Sequence, residues 1–224
     1  MQRTNGDVIV GGVDEAGRGS IIGPLIVAGI SFKKSAVSEL RKIGVKDSKA
    51  LTSKSRINLY AQLKEMANSI CVYKINCNII DDNVYLKRLN QLEAKMMARV
   101  INNLHAEEIY VDSCDVNPDR YAHYIRSYLS AINPKLRSMH HADSINTVVS
   151  AASIVAKITR DEEIEKIRKT HSNIGSGYPC DSKTMGFIKG WILKHKYPPS
   201  FARKSWRPLR LMLEQIDQYQ LDQF

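Results

Sequence analysis

At 224 residues the chain has room for one large domain, or for a domain with a helical appendage. A hydrophobic fraction of 43% beside 25% charged residues excludes a disordered or low-complexity chain and predicts a buried core. The 33 Lys and Arg exceed the 23 Asp and Glu, and the net charge of +10 points to a polyanionic partner, nucleic acid before membrane surface.

In chain order, Val8–Asp14 is an apolar run that opens into a glycine-rich turn. Pro24–Phe32 is rich in Ile and Val, so the two runs predict a hairpin. Thr52–Ala67 begins with a good capping residue and carries Ile57, Leu59, Tyr60, Leu63 and Met66, which predicts a helix. Ser69–Cys77 alternates apolar and polar positions and predicts a third antiparallel strand. Val84–Leu104 places Leu89, Leu92, Met96, Val100 and Leu104 at helical spacing and predicts one core-facing helix. Glu108–Asp112 and Lys135–His141 are short strands after helical patterns, as in a parallel part of a sheet. Between them, Asn117-Pro118 opens a helix with proline in its first turn.

Ser144–Lys169 predicts a long helix whose small, apolar first half lies against the sheet. Gly175–Pro179 reads as a loop, Ser182–His195 as a helix broken by Tyr197-Pro198-Pro199, and Trp206–Gln218 as a last helix. The pattern is α/β: a mixed central sheet of about five strands flanked by helices. One domain is expected over residues 1–224, with 175–224 as a helical part packed on its core. No apolar run reaches bilayer-spanning length and the first residues lack an apolar signal region, so a cytoplasmic location is expected. Cys71, Cys77, Cys114 and Cys180 lack CxxC spacing, which argues against zinc and against a disulfide framework.

Four acidic residues sit where a strand ends or a helix begins: Asp14, Glu15, Asp112 and Asp143. Carboxylates from separate elements at one end of a sheet make a hard-oxygen site suited to Mg²⁺ or Mn²⁺. Two such ions about 4 Å apart would serve phosphodiester hydrolysis. An ordinary Asp-Glu turn, tightened by glycines, reads the first segment equally well. Adjacent residues on a strand face opposite ways, so Asp14 and Glu15 share one site only if the strand bends there. Asp115 lies nearer the Asn117-Pro118 helix start and reads as a loop or capping residue. His140 and His141 read as structural or exposed. Lys157 and Arg160, about one turn apart, offer phosphate contacts or a solvated basic face.

The block Gly12-Val13-Asp14-Glu15-Ala16-Gly17-Arg18-Gly19, followed by Ile22-Gly23-Pro24-Leu25, resembles the opening signature of ribonuclease HII. The resemblance continues through Lys46-Asp47-Ser48-Lys49-Ala50-Leu51, Tyr110-Val111-Asp112, Ala142-Asp143, Val148–Ile154, Gly175–Pro179 and Ser205-Trp206, in the family's order. It implies a ribonuclease H-like fold and cleavage of the RNA strand of RNA–DNA hybrids. Nicking at single ribonucleotides in duplex DNA, with roles in ribonucleotide excision and DNA repair, is implied as well. Asp14, Glu15, Asp112 and Asp143 match the positions that coordinate the divalent metals.

Gly17, Arg18 and Gly19 match the loop that reads the ribonucleotide 2′-hydroxyl, the group that distinguishes RNA from DNA. Arg18 reads alternatively as an ion-pair partner of the acidic cluster. Tyr178 matches the tyrosine that stacks on the neighbouring sugar, or is a ring packed by Pro179. Lys46, Ser48 and Lys49 resemble the family's phosphate-contacting positions, with Lys46 equally readable as solvated surface. Arg203, Lys204 and Arg207 resemble a basic segment that touches the duplex backbone, with Trp206 as a packing anchor.

The absence of an N-terminal extension is similar to the archaeal members, and the related ribonuclease HIII type fits less well. A monomer acting on hybrid or ribonucleotide-containing duplex is expected; the alternative is a catalytically silent hybrid-binding protein. Two departures stand out. Ser20 replaces a usual proline and is expected to loosen its loop. Asn146-Thr147 replaces a usual tyrosine–proline pair and alters the helix start beside Asp143.

Overall fold

The β-branched runs near the N-terminus pair as the alternation of apolar residues requires. The computed structural model describes residues 7–45, 51–130 and 134–221, with side chains described up to 216; Lys46, Ser48 and Lys49 lie outside the described residues. Strands β1 (Ile9–Ala16) and β2 (Leu25–Lys33) are antiparallel, with Asp14 opposite Ala28 and Ala16 opposite Ile26. A short 3₁₀ turn at Lys34–Ala36 leads into α1 (Val37–Lys42), which no sequence pattern announced. Helix α2 (Ser53–Met66) starts where Thr52 accepts a hydrogen bond from the Ser55 amide at 3.2 Å.

Strand β3 (Ser69–Ile75) lies beside β2. It stops two residues before Cys77, which opens α3 (Cys77–Tyr85) instead of extending the strand. The single helix expected over Val84–Leu104 is two helices, α3 and α4 (Leu89–Asn102). Lys87 adopts a left-handed φ of 57°, and the Leu86 and Lys87 amides bond back to Asp82 and Val84, closing α3. Local backbone bonding overrode an apolar periodicity that continued through the break.

Strand β4 (Glu108–Asp112) runs parallel to β1, with Gly12 opposite Tyr110. Helix α5 (Pro118–Ser127), capped by Asn117, returns the chain to β5 (Lys135–Met139), parallel to β4. The five-stranded mixed sheet has the order β3-β2-β1-β4-β5, as the sequence pattern anticipated in type and number.

The long helix expected from Ser144 is divided into α6 (Ala142–Ile145) and α7 (Thr147–Thr170). Asn146 lies in an extended conformation between them, and its side chain accepts the Val148 amide at 3.0 Å. The asparagine that departs from the family pattern therefore caps α7. Helices α8 (Ser182–His195) and α9 (Arg207–Leu221) complete the chain, α8 capped by Asp181. Among the described residues no helix is long and apolar enough to cross a membrane.

The chain divides into two compact units. The first comprises the residues up to Ala16, Ile26–Tyr73 and Asn90–Thr159, and holds most of the sheet. Its core joins Val10, Ala28, Ile30 and Phe32 to Leu59 and Leu63 of α2 and to Val148, Ala151, Ala152 and Val155 of α7. On the other face, Val100 and Leu104 close over Gly29. The second unit comprises Gly17–Leu25, Lys74–Leu89 and Arg160–Phe224. Ile21, Ile22, Ile164, Ile174, Ile188, Ile192 and Leu209 form its core.

One contact sets the spacing in the first unit. A Cβ on Gly12 would lie 2.1 Å from the Val148 carbonyl oxygen and 2.5 Å from the Val149 nitrogen. Only a residue with no side chain lets α7 lie this close to β1. Gly12→Ala is expected to force backbone apart and cost about 3 kcal/mol or more. Thermal melting should show a fall of roughly 6–12 °C; an unchanged melting temperature would refute the close packing.

Candidate active site

The first unit brings three of the four sequence-selected carboxylates into electrostatic contact. Asp14 on β1 is buried, with 5% of its surface exposed, and one of its oxygens accepts the Glu15 amide at 2.7 Å. Burial raises its pKa from 3.8 to about 7. The charges of Asp112 and then Asp143 push the same way, while the Ser153 hydroxyl and the Glu15 amide oppose them. Ser153 falls near Asp14 because Gly12 holds Val148 against β1. Five residues of helix rise about 7.5 Å and two residues of strand about 7 Å, so the two elements stay in step.

Asp112, the last residue of β4, accepts the Ala142 amide at 2.6 Å. His141 precedes that amide in a left-handed conformation, φ 53°, which turns the chain from β5 into α6. This turn carries Asp143, buried, whose main-chain oxygen takes a hydrogen bond from the Ser150 hydroxyl of α7. His140 and His141 are exposed, consistent with the structural reading.

Glu15 is half-buried and follows the strand regularly. Pairing with β2 continues through Glu15 opposite Val27 and Ala16 opposite Ile26. The bend expected between Asp14 and Glu15 is therefore absent, because the β2 ladder fixes the pleat beyond the acidic pair. By strand alternation Glu15 leaves the sheet on the face opposite Asp14.

Among the described residues no group of three or more His, Cys, Asp or Glu side chains is gathered as a ready-made metal cage. Each ionised carboxylate near Asp14 raises the cost of ionising it. A donor set of carboxylate oxygens with mutually unfavourable charge fits a hard divalent cation, which would remove that cost.

Asp115 is excluded from this group. It is buried and accepts the Asn117 amide at 2.9 Å, Asn90 at 3.1 Å and the Arg120 Nε at 3.3 Å. Burial pushes its pKa upward, but Arg120 and these amides outweigh it and hold the carboxyl below its usual value. Asp115 organises the loop before α5, as its position suggested.

The second unit holds the remaining described residues that the resemblance selected. Gly17 has φ +85°, a conformation that strains any side chain, and its carbonyl accepts the Ser20 amide at 3.2 Å. Ser20 is fully buried and its hydroxyl donates to the Ile22 carbonyl. The serine thus tightens the loop through two hydrogen bonds; proline has neither a backbone N–H nor a hydroxyl to make them. The loosening expected of Ser20 is not what the loop shows.

Arg203, expected on the duplex-facing surface, is fully buried. It donates to the Arg18 carbonyl at 2.8 Å and to the Gly23 carbonyl at 3.0 and 3.1 Å. Burial lowers its pKa to about 10, against the nearby Cys77 and Asp81, so it remains charged at neutral pH. Lys204 and Arg207 are exposed, and Trp206 packs under the Arg203 guanidinium at 4.9 Å. Arg160, read from the sequence as a phosphate contact or part of a solvated basic face, is buried over the Tyr178 ring at 4.4 Å. Helical spacing offered Arg160 as basic surface because periodicity reports the face of a helix, not what later segments lay over it; the family resemblance alone had placed Arg203 on the duplex.

A raised carboxylate pKa has a definite consequence for stability. Between pH 4 and 7 the folded chain holds a proton on Asp14 that the unfolded chain releases, so this group's contribution falls as pH rises through about 7. In metal-free buffer, Asp14→Asn should gain stability over the parent by an amount small at pH 4 and below, growing to pH 7 and levelling off above it. At about 1.4 kcal/mol per pKa unit the ceiling is roughly 4 kcal/mol. Denaturant unfolding at several pH values measures it; a difference independent of pH would place Asp14 in the ordinary carboxylate range.

Comparison with known proteins establishes the family and the fold. The model of the family described as Ribonuclease HII matches residues 11–208. A ribonuclease HII of Cenarchaeum symbiosum is 47% identical over 205 residues, 92% of this chain and 98% of the relative. The crystal structure of ribonuclease H2 from Pyrococcus horikoshii superimposes with a TM-score of 0.88 at 37% identity, covering 94% of this chain and all of that one. The ribonuclease HII of Archaeoglobus fulgidus, solved in a complex with PCNA, gives 0.82 at 34% identity, covering 89% and 96%. A buried carboxyl on β1 under the charges of Asp112 and Asp143, on a ribonuclease H-like sheet, thus occurs in a chain that belongs to the ribonuclease HII family of endoribonucleases.

Proposed function

We propose that this chain cleaves the RNA strand of RNA–DNA hybrids and nicks duplex DNA on the 5′ side of single embedded ribonucleotides, leaving 3′-hydroxyl and 5′-phosphate ends. The observation that carries this reading is Asp14, buried at the end of β1 within electrostatic reach of Asp112 and Asp143, in a chain of the ribonuclease HII family. Asp14, Asp112 and Asp143 would hold Mg²⁺ or Mn²⁺, two ions with substrate bound, and Glu15 would join them on a turn of the strand end that brings its carboxyl round to their face. Such ions supply Lewis acidity at the phosphate and lower the pKa of water.

The chain's own residues prepare that site. The Ala142 amide donates to Asp112, and Ser153 favours the ionised form of Asp14. Gly17, Arg18 and Gly19 present backbone to the ribose 2′-hydroxyl. A Cβ on Gly19 would meet no atom within 4 Å, so packing does not demand glycine there; access by a sugar edge supplies a reason. Tyr178, half-buried, offers its ring to the neighbouring sugar. Lys46, Ser48 and Lys49, outside the described residues, serve as phosphate contacts, in keeping with the net charge of +10. The whole chain works as one catalytic domain and as a monomer in the cytoplasm. A PCNA-type protein partner is part of the same proposal, supported by the Archaeoglobus fulgidus complex.

A duplex carrying one ribonucleotide and a continuous RNA–DNA hybrid, each in Mg²⁺ and in Mn²⁺, test the reading. Both should be cut, with the product of the first ending in a 3′-hydroxyl just before the ribonucleotide. Asp112→Asn should lower cleavage by about 100-fold or more, since several kcal/mol of charge stabilisation are at stake, while duplex binding persists. Full activity in that variant would remove Asp112 from the mechanism, and an intact single-ribonucleotide duplex would refute the nicking activity.

A further inference from the structure

In the second unit, the Arg160 side chain is placed against both elements that read the substrate in the proposed function. Its guanidinium lies over the Tyr178 ring, 4.4 Å from the centroid, and its Nη2 donates to the Ser176 carbonyl at 2.8 Å. Its Cδ and Nε are each 3.1 Å from where a Cβ on Gly17 would stand, and its Nη2 is 3.2 Å from the same point on Gly177. Gly177 in turn accepts the Ile21 and Ile22 amides at 2.8 and 3.1 Å, which ties the 175–179 loop to the segment after Gly19.

A role in stability alone does not account for this placement. Arg160 is 7% exposed, and its Nε is buried without a hydrogen-bond acceptor. The carboxylate near it, Asp161, lies 3.4 Å away on a side chain that is itself half-exposed. Buried ion pairs are often replaced as a whole by apolar residues without loss of stability, so the loose Arg160–Asp161 pair is a weak source of stability. What an apolar residue lacks is a flat cationic face, which fixes the orientation of an aromatic ring and donates to a carbonyl at the same time.

We infer that Arg160 is a positioning residue for ribonucleotide recognition. Its guanidinium sets the Tyr178 ring and braces Gly17, so that the Gly17-Arg18-Gly19 backbone and the tyrosine meet the ribose as one preset unit. The inference rests on the reading of Tyr178 and the Gly17–Gly19 loop as the sugar-contacting elements. Arg160 itself touches no substrate; it acts through Tyr178.

The test is a double-mutant cycle on the full chain, with Arg160→Met, Arg160→Lys, Tyr178→Ala and the Met/Ala double variant. For each, kcat and KM are measured on a duplex containing one ribonucleotide, and the melting temperature is recorded. Arg160→Met should lower kcat/KM by about tenfold, the order of a desolvated cation–ring contact, with the melting temperature close to that of the parent. In the Tyr178→Ala background the same change should cost less than about twofold, because the ring it positions is gone. Arg160→Lys should not restore activity, since an ammonium lacks the planar face; should the methionine variant fail to fold, the lysine variant carries the cycle.

Additive losses, or a fall in melting temperature with unchanged kinetics, would overturn the positioning role. Loss of activity in Tyr178→Ala but not in either Arg160 variant would overturn it and leave the reading of Tyr178 intact. Full activity in Tyr178→Ala would overturn that reading, and the inference with it.

Discussion

The approach of α7 to β1 across Gly12 is the constraint on which the first unit depends. With no side chain at that position, the Val148 carbonyl comes within what would be 2.1 Å of a Cβ, and helix and strand advance in step from there. Small residues along α7, Ala151 and Ala152 among them, continue the close packing. Ser153 then falls beside Asp14, and the Ser150 hydroxyl reaches the main chain of Asp143. The polar groups around the site are thus placed by an apolar contact several residues away.

Burial and charge in the site act against each other in a way that suits a metal-dependent hydrolase. Removing Asp14 from water costs energy when it is ionised, and the neighbouring acidic charges add to that cost. No arginine or lysine offsets Asp14 among the causes of its shift. Such tension lowers the stability of the chain at neutral pH. The second unit shows a different use of buried charge. Arg203 clasps the Arg18 and Gly23 carbonyls, and Arg160 covers Tyr178, so two guanidiniums hold backbone and ring where loops by themselves would have many conformations.

Much of the architecture was legible in the residues. The Ile and Val runs marked the central strands, Thr52, Asn117 and Asp181 stand at helix starts, and the Glu108–Asp112 strand has the bounds the sequence suggested. Apolar periodicity failed where main-chain bonding interrupted it, at Lys87 and at Asn146. Neither break changes the hydrophobic pattern, so no reading of that pattern alone finds it. The two departures from the family motif also proved locally compensated, Ser20 by its hydrogen bonds and Asn146 by its cap.

The amino-acid sequence by itself determined the strand-forming runs, the four acidic positions and the family, because residue type and order carry these directly. Tertiary structure decided which acidic groups share an electrostatic field and which basic groups face inward. Asp115 was sent to Arg120, Asp14 was brought under Asp112 and Asp143, and Arg160 and Arg203 were buried. Those outcomes depend on contacts between residues far apart in the chain, as with Arg203 and Arg18. The spacing of Gly17, Arg160 and Tyr178 along the chain holds no trace of the cluster they form, because only packing brings them together.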